Sequence, residues 1–176
     1  MKLEDSYVIL ARYNRWMNEK LYAMAAQLSD QERKRDVRAF FKSIHGTLDH
    51  ILYGDRIWLT RFGVADVGEG GSGFVGAPVD APLYEDFTEL REERSRTDAQ
   101  IDAFAKSLTE ETLSAPLLYT RRGVSFDPPL AHAVSHFFNH QTHHRGQVTT
   151  LFMQLGRDPG VTDLIALLRE ADWATT

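Results

Sequence analysis

The sequence predicts an all-α protein: a four-helix bundle with a long crossover between the second and third helices, a small hairpin before the fourth, and a short C-terminal helix. Two observations carry this. Four long segments place apolar residues at alternating three- and four-residue steps, the period of a helix face turned toward a core. Between them stand one extended glycine-rich break and no run capable of forming a substantial sheet.

The first segment carries Tyr7, Leu10, Met17, Leu21, Met24 and Leu28. Ser29 with Glu32 forms a capping box expected to open the second segment. The stripe of that segment is Phe41, Ile44, Leu48, Ile51, Trp58 and Phe62. "GEGGSGFVGAP", Gly68 to Pro78, lacks a Gly-Lys-Ser/Thr ending and a preceding strand, so it reads as a crossover and not as a phosphate-binding loop. The third segment shows Phe87, Leu90, Ile101, Phe104 and Leu108. "LLYTRRGVSF", Leu117 to Phe126, suits a hairpin turning at Arg122-Gly123. The fourth segment runs through Leu130, Val134, Phe137, Val148, Leu151 and Leu155, with Asp127 as N-cap before Pro128 and Pro129 and Gly156 as its end. "VTDLIALLRE" reads as a short helix capped by Thr162 or Asp163. Mostly short connections favour antiparallel neighbours. With no internal repeat and no boundary, the 176 residues are expected to form a single domain, 1–176.

The bulk properties narrow the function. A hydrophobic fraction of 43% is enough for a core. A net charge of -5 argues against nucleic-acid binding, because no broad basic surface could displace phosphate counterions. The basic cluster "RKRDVR", Arg33 to Arg38, is short, includes an acid, and reads as a solvated helix start. The absence of cysteine excludes disulfides, thiolate metal sites and a cysteine nucleophile. The opening "MKLEDSYVIL" has acids where a signal peptide would need basic and then apolar residues. No run approaches the ~20 apolar residues that span a bilayer. The expectation is a cytoplasmic protein that engages neither membrane nor nucleic acid.

Each stripe is interrupted near its middle: Asn14 in the first, Asp55 in the second, Arg94 and Thr97 in the third, Gln141 and His144 in the fourth. Buried without partners, such groups would cost several kcal/mol each, so they must meet one another, water or a ligand. A polar layer that fixes helix pairing explains most of them. The histidines point further. "HFFNHQTHHRGQ", His136 to Gln147, holds four of the seven histidines. His140 and His144 are stacked one turn apart, roughly 6 Å along the axis, and can address one ion. His144 faces most nearly inward and His140 lies on its flank, whereas His136, His143 and His132 turn progressively outward.

A third ligand must come from the second helix, where His45 and His50 are the candidates. His45 lies at the edge of the stripe and reads as a packed or surface histidine. His50 is flanked by Gly46 and Gly54. Glycine costs a helix interior ~1 kcal/mol relative to alanine, so the pair either permits close packing or leaves room beside the imidazole. Three imidazoles form an open site suited to zinc, nickel, copper or ferrous iron, at which water or an arriving thiol or carboxylate could take the free position.

"HFFNHQTHHRGQV" followed by "LFMQLG" resembles the C-terminal signature of the DinB/YfiT-like superfamily, the damage-inducible DinB proteins, which are unrelated to the DNA polymerase of that name. The resemblance extends back through "YNRWMNEKLY" and "SIHGTLDHILYGDRIWLTRF" and forward to "DLIALLRE"; the stretch from Gly63 to Pro82 matches no pattern. It implies a four-helix bundle with a divalent metal on His50, His140 and His144, the trio that stripe geometry selects. It implies metal-dependent hydrolysis or transfer of a low-molecular-weight thiol to a small-molecule substrate, and a homodimer. The alternative is a non-catalytic, metal- or ligand-binding, dimer-forming stress protein.

Around the trio, Asp55 is the acid expected to be buried. It is therefore a candidate for proton transfer, although a salt bridge with Arg94 or Arg145 is the simpler role. Tyr53 and Asp49 neighbour His50 and could orient ligands or substrate. Arg145 is expected to hold the bundle together through carboxylates or carbonyls, and Gly146 to admit another helix.

Overall fold

The computed structural model describes residues 2–66 and 82–170. Its helices are α1 (Leu3–Ala25), α2 (Asp30–Lys34), α3 (Ile44–Arg61), α4 (Phe87–Ser107), α5 (Glu110–Ser114), α6 (Leu130–Gln154) and α7 (Leu164–Glu170), with strands β1 (Tyr119–Arg121) and β2 (Val124–Phe126). The bundle is all-α, built from α1, α3, α4 and α6. No helix of the described residues is long and apolar enough to cross a membrane.

Local chemistry explains most boundaries and corrects two. The Ser29–Glu32 capping box forms, but it opens the one-turn helix α2. The long second helix starts fourteen residues later, where the Ser43 hydroxyl accepts the Gly46 N–H at 3.0 Å. Asp127 is not the N-cap of α6; that position falls to Pro129, which makes no side-chain cap. The hairpin is as expected: Arg122 and Gly123 take φ of 50° and 78°, the pair of left-handed residues a tight two-residue turn requires.

α1 packs against α4 and α6, and α3 packs against the same two. α1 and α3 therefore lie across the bundle from each other, as do α4 and α6, not side by side as short connections suggested, whereas the consecutive helices α3 and α4 are neighbours. Ring contacts give the directions. Tyr22 meets Phe87 while Arg15 pairs with Asp102, so α1 and α4 are antiparallel. His45 meets Phe87 and Phe62 meets Phe104, so α3 and α4 run the same way. The link between α3 and α4 must therefore return the length of the bundle. The crossover Gly68 to Pro78 falls in that link, outside the described residues.

The core has two apolar halves. One gathers Met17, Leu21, Leu48, Ile51, Leu90 and Phe152; the other gathers Tyr7, Leu59, Ile101, Phe104, Val134 and Phe137. Between them lie the stripe-breaking residues Asn14, Asp55, Arg94 and Gln141, which a chain of polar contacts joins. Asn14 and Asn18 of α1 each donate to Asp98 of α4 at 2.9 Å. Arg94 bridges Asp98 at 3.0 Å and Asp55 of α3 at 2.6 Å. Gln141 of α6 donates to the other Asp55 oxygen at 2.9 Å, and Arg145 of α6 returns to Asn14. The circuit touches all four long helices and sets two guanidiniums against two carboxylates. Arg145 thus ties the bundle through an amide oxygen and Thr142, not through a carboxylate.

Removing one member of a buried ion pair leaves the others uncompensated, typically at a cost of about 3–5 kcal/mol. Arg94→Met is expected to lower unfolding stability by that amount in urea titrations. Asn14→Ala, which also unpairs Arg145, should cost less, on the order of 1–3 kcal/mol.

Candidate metal centre

His50 of α3 and His140 and His144 of α6 converge. One ligating nitrogen from each lies within 4.8 Å of the other two. The Nε2 atoms of His140 and His144 are 3.1 Å apart, and the His50 ring centroid is 4.6 Å from His144 and 5.4 Å from His140. Two nitrogens held at about 2.0–2.1 Å from a tetrahedral zinc are separated by roughly 3.3 Å, so this spacing fits a shared divalent ion.

The supporting residues explain why the rings meet. A Cβ on Gly54 would lie 2.7 Å from His140 Cε1. The glycine vacates the volume that the imidazole fills. At Gly46 a Cβ would lie 2.3 Å from the Phe41 carbonyl oxygen, so that glycine admits the chain entering α3. Of the two roles open to these glycines, close packing operates at both: the entering chain at Gly46 and the His140 ring at Gly54. Gly146, expected to admit a helix, is exposed with nothing within 4 Å of its Cβ position.

Two residues escaped the sequence reading as parts of the site. Gln147 Oε1 lies 2.8 Å from His144 Nδ1. An amide oxygen only accepts, so Nδ1 carries the proton and the Nε2 lone pair faces the centre. Its three-residue spacing from His144 on a helix was the available signal. Phe41 stacks on His50 with centroids 3.8 Å apart and sets its edge against His144 at 5.4 Å. A tight turn delivers it: Lys42 takes a φ of 66°, and its N–H bonds to the Ala39 carbonyl at 2.9 Å. That turn has no signature a sequence pattern would reveal.

Burial keeps the two donors of α6 neutral. His140 is pushed down to about 3, first by desolvation and then by the imidazoles of His144, His50, His136 and His143. Burial also lowers His144, partly opposed by its bond to Gln147. Neutral imidazoles are the ligating form. His140 and His144 are therefore ready to take a divalent cation near neutral pH.

The other sequence candidates lie elsewhere or at the margin. Asp55 is fully buried in the polar circuit; burial pushes its carboxyl upward against the pull of Arg94 and the bond from Gln141. Tyr53 is half-buried with its ring 6.4 Å from that of His50. Asp49 turns away from the centre and accepts the N–H groups of Leu83 and Tyr84 at 2.8 and 3.0 Å. His45 is packed, with its Nε2–H donated to the Tyr84 carbonyl at 2.7 Å. His132, His136 and His143 are exposed, as their helix positions imply.

Alanine at His50, His140 or His144 is expected to abolish stoichiometric metal retention, measured by elemental analysis of untagged protein, while His132→Ala and His143→Ala retain it. Gly54→Ala should lose the ion with helix content unchanged, since alanine favours the helix and only the His140 ring is displaced. Gln147→Ala should weaken affinity about 10–100-fold. The depressed pKa of His140 also sets an acid limit. Unfolded chain binds a proton there below about pH 6.5 that the folded state refuses until about pH 3, so stability falls as pH drops through that window. The melting temperature of metal-free protein is expected to decline over that range, and less steeply in His140→Gln.

Comparison with known proteins identifies relatives of the chain and of its fold. The chain is 23% identical over 166 residues to Protein DinB of Bacillus subtilis (strain 168), with 92% of each chain covered. It superposes on a crystal structure of a DinB-like protein from Bacillus cereus ATCC 10987 with a TM-score of 0.60 and 22% identity, covering 84% of this chain and 91% of that one, a likeness of fold. The model of the DinB family matches residues 3–175, and the chain belongs to that family.

Proposed function

We propose that the protein is a metal-dependent enzyme acting on a small molecule, with hydrolysis and transfer of a low-molecular-weight thiol as the two reactions open to it. The observation that carries this reading is the donor set. Three uncharged nitrogens converge, and no carboxylate joins the group among the described residues. A divalent cation there, zinc, nickel or iron, would keep its full charge and open positions and so supply a Lewis acid favouring deprotonation of water or a thiol.

The chain's own residues define the rest. His50, His140 and His144 hold the cation, and Gln147 fixes the ring and tautomer of His144. Phe41 closes the side next to His50 and excludes water from it. Asp55 is committed to Arg94 and Gln141, which leaves it without a free oxygen for proton transfer at the centre. Tyr53 is the hydroxyl-bearing residue beside His50 and is the better placed of the two sequence candidates to meet a substrate.

Stripping the metal with dipicolinate should abolish turnover in a screen of thiol-dependent and hydrolytic substrates while far-ultraviolet circular dichroism keeps its helical signal, and re-addition of one metal per chain should restore it. Turnover that survives metal removal would sink the enzymatic reading of this site. Helices that melt on removal, with no turnover in the loaded protein, would make the metal structural.

A further inference from the structure

The face of α3 that carries His50 continues past the centre to Arg61. Eleven residues separate them. At 100° per residue that returns Arg61 to within about 20° of His50, about 16 Å along the axis. The intervening wall is aromatic: His140 meets His136 with centroids 6.0 Å apart, His136 meets Trp58 at 5.1 Å, and the Arg61 guanidinium lies 4.6 Å from the centre of the Trp58 ring. Arg61 is also 4.8 Å from the ring of Tyr119 in β1, which itself meets the Trp58 ring edge to face with centroids 5.6 Å apart.

Arg61 is thus held against the corner that the two rings form, and the N–H groups directed away from it are the ones it presents. Among the described residues no carboxylate pairs with it and no acceptor takes its protons. Arg121 stands two residues beyond Tyr119 on the same side of β1 and is likewise without an ion pair among those residues. Holding two guanidiniums near each other with no anion is unfavourable, and in a chain of net charge -5 it is not a consequence of general basicity. The felt proximity is visible in Arg61 itself, lowered first by desolvation and further by Arg121.

We propose that Arg61 and Arg121 form the subsite that receives a carboxylate of the substrate, while the reacting end of the molecule lies at the three-histidine centre. The planar fork of Arg61 matches a carboxylate in a bidentate way that a lysine could not. Trp58 and His136 line the path between the two ends. The proposal rests on the reading of His50, His140 and His144 as a metal site, and it adds the class of molecule: an elongated, carboxylate-bearing one.

The test uses cobalt(II)-loaded protein and pairs of linear thiols of matched length, mercaptohexanoate against mercaptohexanol and mercaptoundecanoate against mercaptoundecanol. Binding is read from thiolate-to-cobalt charge-transfer absorption. At the length that spans the groove, the carboxylated thiol should bind roughly tenfold more tightly than its alcohol partner, and added salt should shrink the difference. Arg61→Ala should bring the two to equality with the alcohol's affinity unchanged. Arg121→Ala, which leaves the Trp58–Arg61–Tyr119 cluster intact, should remove part of the preference and guards against a folding defect in the first variant. Equal affinities in wild-type protein at both lengths, or a preference that survives both replacements, would overturn the subsite. Failure of every thiol to perturb the cobalt spectrum would instead overturn the metal reading beneath it.

Discussion

The buried circuit that runs from Asn14 through Asp98, Arg94, Asp55 and Gln141, and back through Arg145, decides where everything else sits. An apolar stripe repeats every turn, so a helix that slid by one turn, about 5.4 Å, would still bury hydrophobic surface. The circuit does not tolerate that slide. Asp55 would leave Gln141 and Arg94, and buried charges would lose their partners. The same slide would carry His50 away from His140 and His144, because Asp55 is on the helix of His50 and Gln141 lies between the other two ligands in sequence. One set of contacts thereby fixes the register of the bundle and the geometry of the histidine cluster.

The two polar systems have opposite electrostatic character. In the circuit, two guanidiniums face two carboxylates, and burial is tolerable because the charges are matched. At the histidine cluster, burial holds His140 and His144 neutral and brings one ring nitrogen of each of the three histidines within 4.8 Å of the others. Converging neutral imidazole nitrogens are the donor set that a divalent cation takes. Their adjacency along α3 and α6 therefore separates a structural layer from a binding centre on chemical grounds, even though both appear in the sequence as polar interruptions of an apolar stripe.

That distinction also marks how far the sequence could be read. The four stripes, the hairpin turn at Arg122-Gly123 and the His50, His140, His144 trio were legible because each is written in local spacing. Helix order was not. The links after α1 and α4, which carry α2, α5 and the hairpin, are long enough to reach across the bundle, and no periodicity records which neighbour a helix will choose. The Ser29 box was read correctly as a cap, but local chemistry cannot say how many residues follow before the chain becomes irregular; here the helix lasts five. Phe41 appeared as the first member of a core stripe and is instead part of a turn that lays it on His50. Asp127 had the chemistry of a cap, yet Pro129 occupies the cap position and α6 starts without one.

The supports of the histidine cluster share a physical trait: each is unfavourable alone. Gly46 and Gly54 forgo helix propensity, Lys42 holds a left-handed backbone without being glycine, and His140 gives up protonation that solvent would otherwise allow. None is required by the apolar halves of the core, which are complete without them. All four act on the same few cubic ångströms: Gly54 makes room for a ring, Gly46 and Lys42 bring Phe41 against another, and desolvation leaves the donors bare. Costs that converge on one point are explained by what that point binds, since a ligand that favours only the folded state returns free energy to it in proportion to its affinity. The cluster is a group of three histidines that could hold a metal ion, and the polar circuit beside it is the frame that holds it in register.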